Sequence, residues 1–327
     1  MNTQDKLNAR AWNNYWETGF KSTFTGHEES GFFHELDDTW MAEFSQLDNE
    51  SAVVDLGAGN GALTTLALKA GAQDNKNLSV TAIDYAAVKN ASELFSEKHD
   101  NLTVKDNTPI ENTGLDSASI DLCVSQFGFE YANHEEAANE VNRILKPGGK
   151  LIAVVHHRQS EITQSCASAH MQIGLCHRTQ LTQITEKLLR RLRKLSKSNR
   201  SPQQDEIAEN LRNEMNRRTE RLIQYGEELP DQHHITYFLN ELTSLFSPKA
   251  EKLSFDQKLG VIQMVEHNAK GFQLRMEAML KASLDMEGIQ KLEETLRKSG
   301  FEVPSAELLQ HEFKTYAWRI EAVKPVE

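Results

Sequence analysis

A strand that runs straight into a glycine turn and out into a helix leaves a chain few folds to choose from. VVDLGAGNGALT, residues 53–64, is such a segment. Glycines at 57, 59 and 61 let the backbone approach a ligand with no Cβ in the way, and the helix that follows offers N–H groups at its start. No Gly-Lys-Ser/Thr ending is present, which disfavours a phosphate-cradling loop of the NTPase kind. The spacing G-x-G-x-G also departs from the G-x-G-x-x-G of nicotinamide-dependent oxidoreductases.

Around this segment the pattern repeats. β-rich runs at 52–55, 78–83, 102–104, 120–124 and 150–155 are separated by helical stretches, which implies a parallel sheet with crossovers. Acidic residues recur at the strand ends: Asp55, Asp84 and Asp106. Asp84 lies 23 positions beyond Gly61, close to the spacing at which a carboxylate accepts from both hydroxyls of a ribose, so an adenosine-containing ligand is expected.

Three zones follow from composition. Residues 1–50 form an arm rich in aromatics (Trp12, Tyr15, Trp16, Phe20, Phe24, Phe32, Phe33, Trp40) and acidic after His27. Residues 51–157 and 285–327 carry the α/β pattern, closing with a helix over 289–298 that Asp285 would cap and a strand pair at 306–313 and 315–323. Between them, 158–284 has almost no strand signal and reads as three or four long helices, with breaks at 196–202, 226–230 and 247–248. In the last of these helices Ile262, Val265, Ala269, Phe272, Met276 and Met279 make a narrow packing seam. A block this long inside a sheet's connectivity is expected to be a cap or an assembly module, forming part of an acceptor pocket, a homodimer surface, or both.

Composition bounds what the chain can be. With 327 residues and 39% hydrophobic content it can bury a full core, yet its longest apolar run, 151–155, is far short of the roughly 18 residues a membrane span needs. A soluble, cytoplasmic protein with no membrane partner is expected, and three cysteines in a chain of this length read as reduced thiols. Cys166, His170, Cys176 and His177 match no familiar zinc spacing, so no metal is expected. A net charge of −12 opposes bulk nucleic-acid binding, and the one basic cluster, 190–194 with Lys197 and Arg200, falls on an ordinary amphipathic helix through Ile184, Leu188, Leu192 and Leu195.

Taken together, VVDLGAGNGALT (53–64), TAIDYA (81–86), VKDNTPIE (104–111), IDLCVSQFGFEY (120–131) and VNRILKPGGKLIAVVHH (141–157) resemble the class I S-adenosylmethionine-dependent methyltransferases, the superfamily that includes the type 11 small-molecule enzymes. The resemblance covers about half of the chain and implies a Rossmann-like seven-stranded α/β sheet, here with a large all-helical insertion between the fifth strand and the last sheet helix. It implies S-adenosyl-L-methionine as cofactor. Asp55, Gly57, Ala58, Gly59, Asn60 and Gly61 would line its methionine part, Asp84 its ribose, and Tyr85 its adenine. Asp106 would accept from the adenine amino group, with Asn107 where the family has a small apolar residue, and Gln126 and Phe127 would pass beneath the transferable methyl.

Methyl transfer from a sulfonium is an in-line displacement, and a base is needed only when the acceptor carries a proton that must leave. Glu130, His156 and His157 are the candidate bases, although adjacent histidines at a strand end point to opposite sides. Trp12, Tyr15, Trp16 and Tyr131 are candidate substrate walls, the first three forming either a lid or a helix docked for stability. The expected function is methyl transfer to a small-molecule acceptor rather than a nucleic acid. An RNA or protein methyltransferase whose helical block holds the macromolecule is one alternative, and a non-catalytic cofactor-binding scaffold or sensor is another.

Overall fold

The computed structural model describes residues 12–13, 15–16, 31–87, 100–198, 200–302 and 306–326. Phe20, Phe24 and the acidic stretch after His27 lie outside the described residues. The chain divides into two compact units, Met1–Gln164 with Ala278–Glu327, and Ser165–Glu277.

The first unit is built on strands β1 (Ala52–Leu56), β2 (Ser79–Ile83), β3 (Leu102–Lys105), β4 (Ile120–Gln126), β5 (Leu145–His156), β6 (Glu307–His311) and β7 (Lys314–Val323). They form one seven-stranded sheet in the order β3-β2-β1-β4-β5-β7-β6. The first five are parallel, and β7 runs antiparallel to both β5 and β6. β1, β4 and β5 are central, and their near-continuous apolar runs are buried on both faces, as a parallel sheet covered by helices requires. Leu151 through Val155 are all buried, and each large member contributes roughly 1.5–3 kcal/mol relative to exposure. Residues 147–149 form an early, irregular part of β5, where Gly148 has a φ of 79° and the pairing with β4 shifts register between Ile120 and Leu122.

Helices α1 (Gly31–Ser45), α2 (Ala62–Gln73) and α3 (His134–Ile144) belong to the same unit. In α1 the buried residues Phe32, Leu36, Trp40 and Phe44 recur at steps of four, a single apolar stripe. Phe32 stacks on Tyr316 with ring centroids 4.2 Å apart, and Glu43 pairs with Arg319 at 2.8 Å, so this part of the N-terminal arm is a helix docked on the sheet. Asn133 caps α3 by accepting from the N–H groups of Glu135 and Glu136.

The chain leaves the sheet after β5 and returns beside its point of exit. His157 bridges Leu284, the Leu284 N–H donates to the His156 carbonyl at 2.8 Å, and the Arg158 N–H donates to the Leu284 carbonyl at 2.9 Å. The Arg158 guanidinium adds an ion pair to Asp285 at 2.6 Å and a hydrogen bond to the Ser283 carbonyl. An insertion whose ends are neighbours disturbs the host sheet little, because the sheet sees only a short connection.

The insertion runs through α4 (Glu161–Thr179), α5 (Leu181–Lys197), α6 (Glu206–Glu227), α7 (His233–Ser244) and α8 (Phe255–Ala282), and the chain then enters α9 (Met286–Lys298), capped by Asp285. The two units divide inside α4 and α8, so neither limit falls at a loop. The second unit has its own core, with Leu181, Ile184, Leu188, Leu222, Phe238 and Ile262 among its buried members. Three arginines of its basic cluster are engaged within the unit: Arg190 pairs with Glu186, Arg191 forks onto the capping Asp205, and Arg193 lies over the Phe255 ring at 4.2 Å. Among the described residues no helix is long and apolar enough to cross a membrane.

Candidate active site

Strand order reverses between β1 and β4, and the crevice outside the carboxyl ends of strands at such a point is where open α/β sheets bind ligands. The glycine turn sits there. Gly57, Gly59 and Gly61 all have left-handed φ values, 75°, 51° and 76°. The N–H groups of Gly57 and Ala58 both donate to the Ile83 carbonyl, at 2.8 and 2.9 Å, which ties the turn to the end of β2.

Gly57 faces a second glycine that the sequence reading did not single out. A Cβ on Gly57 would lie 2.9 Å from the Gly128 Cα, and one on Gly128 would lie 2.8 Å from the Leu56 carbonyl oxygen. Ser125 completes this junction by donating to the Leu56 carbonyl at 2.7 Å and accepting from the Phe129 N–H at 2.9 Å. Gly128 was detectable as a glycine just past the fourth strand, whereas nothing in the sequence marks Ser125. Gly57→Ala and Gly128→Ala are each expected to destabilise the protein by about 1–3 kcal/mol, read as a lowered urea midpoint. Wild-type midpoints in both would mean that the junction has slack.

The acidic residues do different work. Asp55 is buried and accepts from the Thr64 hydroxyl at 2.6 Å, bracing the first turn of α2 from inside; burial pushes its carboxyl up to about 7. Asp84 accepts from the Gly59 N–H with one oxygen and from the Ala86 N–H with the other, both at 2.7 Å. Burial raises its carboxyl to about 6 against the pull of those two donors. Tyr85 leaves 40% of its surface exposed beside it. Asp106 and Asn107 are exposed at the end of β3, where Asn107 adopts the left-handed φ of 49° that asparagine tolerates and the Thr108 N–H donates to the Asp84 carbonyl.

The described part of the arm meets this loop. Asn60 donates from its amide to the Trp16 carbonyl at 3.2 Å, and the Trp16 ring covers Gly59 so closely that a Cβ there would lie 2.6 Å from it. Trp12 stacks with Trp16 and meets Tyr131 edge-on at 5.8 Å, while Tyr15 packs against Trp16. Asn13 accepts from the Ala87 N–H at 2.8 Å. Thus Trp12, Tyr15, Trp16 and Tyr131 come together, and Asn13 is a contact the sequence gave no reason to expect.

Past β4, Gln126 accepts from the Trp40 indole at 2.5 Å, so its amide is held by α1. Phe127 has a φ of 57°, a strained conformation for an aromatic residue, and its ring stacks on His156 at 4.5 Å and 15°. Such strain persists only where the surroundings hold it, here by the Phe127 N–H donating to the Val154 carbonyl at 2.7 Å.

Glu130 and His156 form a buried pair, 4% and 1% exposed. One Glu130 oxygen accepts from the His156 N–H at 2.8 Å and lies 3.9 Å from the His156 Nε2, while the other, Oε2, has no hydrogen-bond partner among the described residues. Burial raises the Glu130 carboxyl to about 8 and lowers the His156 imidazole to about 3, so at neutral pH both are uncharged. His157 points elsewhere: its ring lies 4.9 Å from that of Trp318 and its Nδ1 accepts from the Gln159 N–H. Cys166 and Cys176 lie buried in α4, their thiols pushed up to about 12 by burial.

Residues 54–153 match the family model described as a methyltransferase domain. Over 105 residues the chain is 29% identical to a highly reducing polyketide synthase of Phaeosphaeria nodorum, a stretch covering 31% of this chain and 4% of that protein. Among solved structures, the complex between the Haloferax volcanii Trm112 methyltransferase activator and a methyltransferase is 25% identical, covering 46% of this chain and 60% of that one, with a TM-score of 0.34. The geranyl diphosphate C-methyltransferase of Streptomyces coelicolor A3(2) is 15% identical, covering 47% and 65%, with a TM-score of 0.37. The chain thus spans less than two thirds of the length of each of these relatives. The family match falls on β1 through β5, and those strands are set in a seven-stranded sheet that an antiparallel β7 completes, so residues 54–153 are similar in sequence to a methyltransferase domain.

Proposed function

We propose that the protein transfers a methyl group from S-adenosyl-L-methionine to a small-molecule acceptor. The observation that carries this reading is the Asp84 carboxylate clamped to Gly59 and Ala86 at the strand-order reversal. A carboxylate offers about four acceptor sites, and the two N–H donors leave capacity for a ribose diol. Gly57 and Gly59 put no side chain of their own into the turn, where the Trp16 ring lies over Gly59, and Tyr85 and Asp106 offer an aromatic face and a carboxylate where an adenine would lie, so the residues fit the adenosyl group.

The cofactor supplies a methyl group already activated on a cationic sulfur. The chain's part is to orient it and keep water away. Phe127, Tyr131, Trp12 and Trp16 give an aromatic wall that suits a cation and an apolar or planar acceptor. Glu130 and His156, uncharged at neutral pH, brace that wall without setting a like charge near the sulfonium; in this reading they position Phe127 and Tyr131 rather than accept a proton.

Calorimetric titration of the full chain with S-adenosylhomocysteine, with NADH in parallel, tests the cofactor. Micromolar or tighter binding of the first alone is expected, while binding of NADH, or of neither, overturns the reading. Radiolabelled methyl transfer into an extract, separated into small-molecule, RNA and protein fractions, then tests the acceptor class. Label in RNA or protein, or none despite cofactor binding, would overturn the small-molecule assignment.

A further inference from the structure

The helical unit holds a cleft of about 510 Å³ between the end of α4 with the Gln180 connection that follows it and one face of α6, lined by Arg178, Gln180, Arg217, Arg218, Arg221 and Tyr225 among others. That volume falls within the range of about 300–1,000 Å³ typical of small-ligand sites. Four guanidiniums line it against a single carboxylate, Glu214, in a chain whose net charge is −12.

The guanidiniums are not equivalent. Glu214 engages Arg217 at 2.6 Å and Arg218 at 2.8 Å, and Arg218 also donates to the Thr179 carbonyl at 3.0 Å, so these two hold the cleft together. Arg178 and Arg221 make no ion pair or hydrogen bond among the described residues. Gln180, the residue between α4 and α5, has a left-handed φ of 51°, and its carbonyl accepts from the Arg218 guanidinium at 3.3 Å. Tyr225 adds a ring that is about half exposed.

We propose that this cleft binds a small ligand with adjacent phosphate groups, of the nucleoside diphosphate class, gripped by Arg178 and Arg221 and flanked by the Tyr225 ring. Guanidinium forks match phosphate oxygens in pairs, and two unpaired arginines call for more than one negative charge. The proposal concerns the helical unit alone and stands whether or not the sheet unit transfers methyl groups.

The test is calorimetric titration of the full chain with inorganic pyrophosphate, and with ADP in the presence of saturating S-adenosylhomocysteine, so that an adenosine moiety is not read at the glycine turn. Adenosine and a single-stranded RNA oligomer serve as comparison probes. Saturable one-to-one binding of pyrophosphate and ADP, tighter than that of adenosine, is expected. The double variant Arg178→Ala/Arg221→Ala should weaken it at least about tenfold while leaving S-adenosylhomocysteine binding unchanged. Failure of pyrophosphate and ADP to bind, binding that the double variant retains, or RNA bound more tightly than ADP would each overturn the proposal. Because pyrophosphate has no adenosine part, its result is independent of whether S-adenosylhomocysteine binds.

Discussion

Asp84→Ala is expected to raise the dissociation constant for S-adenosylhomocysteine about 100-fold, measured by calorimetry near neutral pH. Two hydrogen bonds to a carboxylate, each worth about 1.5–3 kcal/mol, account for at least that factor. The same side chain accepts from the Gly59 and Ala86 N–H groups, so the variant also releases the glycine turn from the end of β2. Asp84→Asn should lose nearly as much, because its NH2 group must face one of those two N–H donors. Burial raises the Asp84 carboxyl to about 6, and protonation removes an acceptor, so affinity should weaken as pH falls below about 6. Wild-type affinity in both variants would remove Asp84 from the ribose contact.

Glu130→Gln is expected to flatten the pH dependence of stability above neutrality. The Glu130 carboxyl is raised from an ordinary 4.5 to about 8, so across that window the folded protein holds a proton that the unfolded chain has lost. Stability contributed by the protonated form is complete below 4.5 and is lost as pH rises through about 8. His156 works in the opposite direction: lowered from 6.5 to about 3, it makes stability rise with pH over that interval. Asp55 and Asp84, raised to about 7 and about 6, add falling slopes that end there. Among these four, Glu130 carries most of the slope left between about pH 7 and 8, where its titration should lower stability by about 1 kcal/mol. Glutamine keeps the carbonyl that accepts from the His156 N–H, so Glu130→Gln should fold and lose this slope, as urea midpoints at several pH values would show. A slope retained in the variant would mean that another group carries it.

How far the chain could be read in advance depended on the range of the interactions involved. The glycine turn, the helix starts at Asn133 and Asp285 and the alternation of strands with helices are local: a few consecutive residues dictate φ, cap a first turn or set a hydrophobic period. The strand-by-strand motifs that carry the resemblance are also contiguous, which is why Asp84 and Gly57 were legible as candidate site residues.

The Gly57–Gly128 contact, the grip of Ser125 on Leu56 and the indole of Trp40 on Gln126 join residues 69 to 86 positions apart, or meet across two strand ends. No local period announces such pairs. The fates of Glu130, His156 and His157 were decided the same way. Sequence placed all three at strand ends as candidate bases, but only packing buries the first two until both are neutral and turns the third toward Trp318. The amino-acid order by itself determined the sheet, its glycine turn and the likeness of residues 54–153 to a methyltransferase domain, because those rest on backbone conformation and short-range pattern. The charge state of the buried pair, and the identity of the two arginines that stay free in the α4–α6 cleft, were decided by the tertiary structure, because desolvation and ion pairing depend on which distant side chains come to lie within a few ångströms.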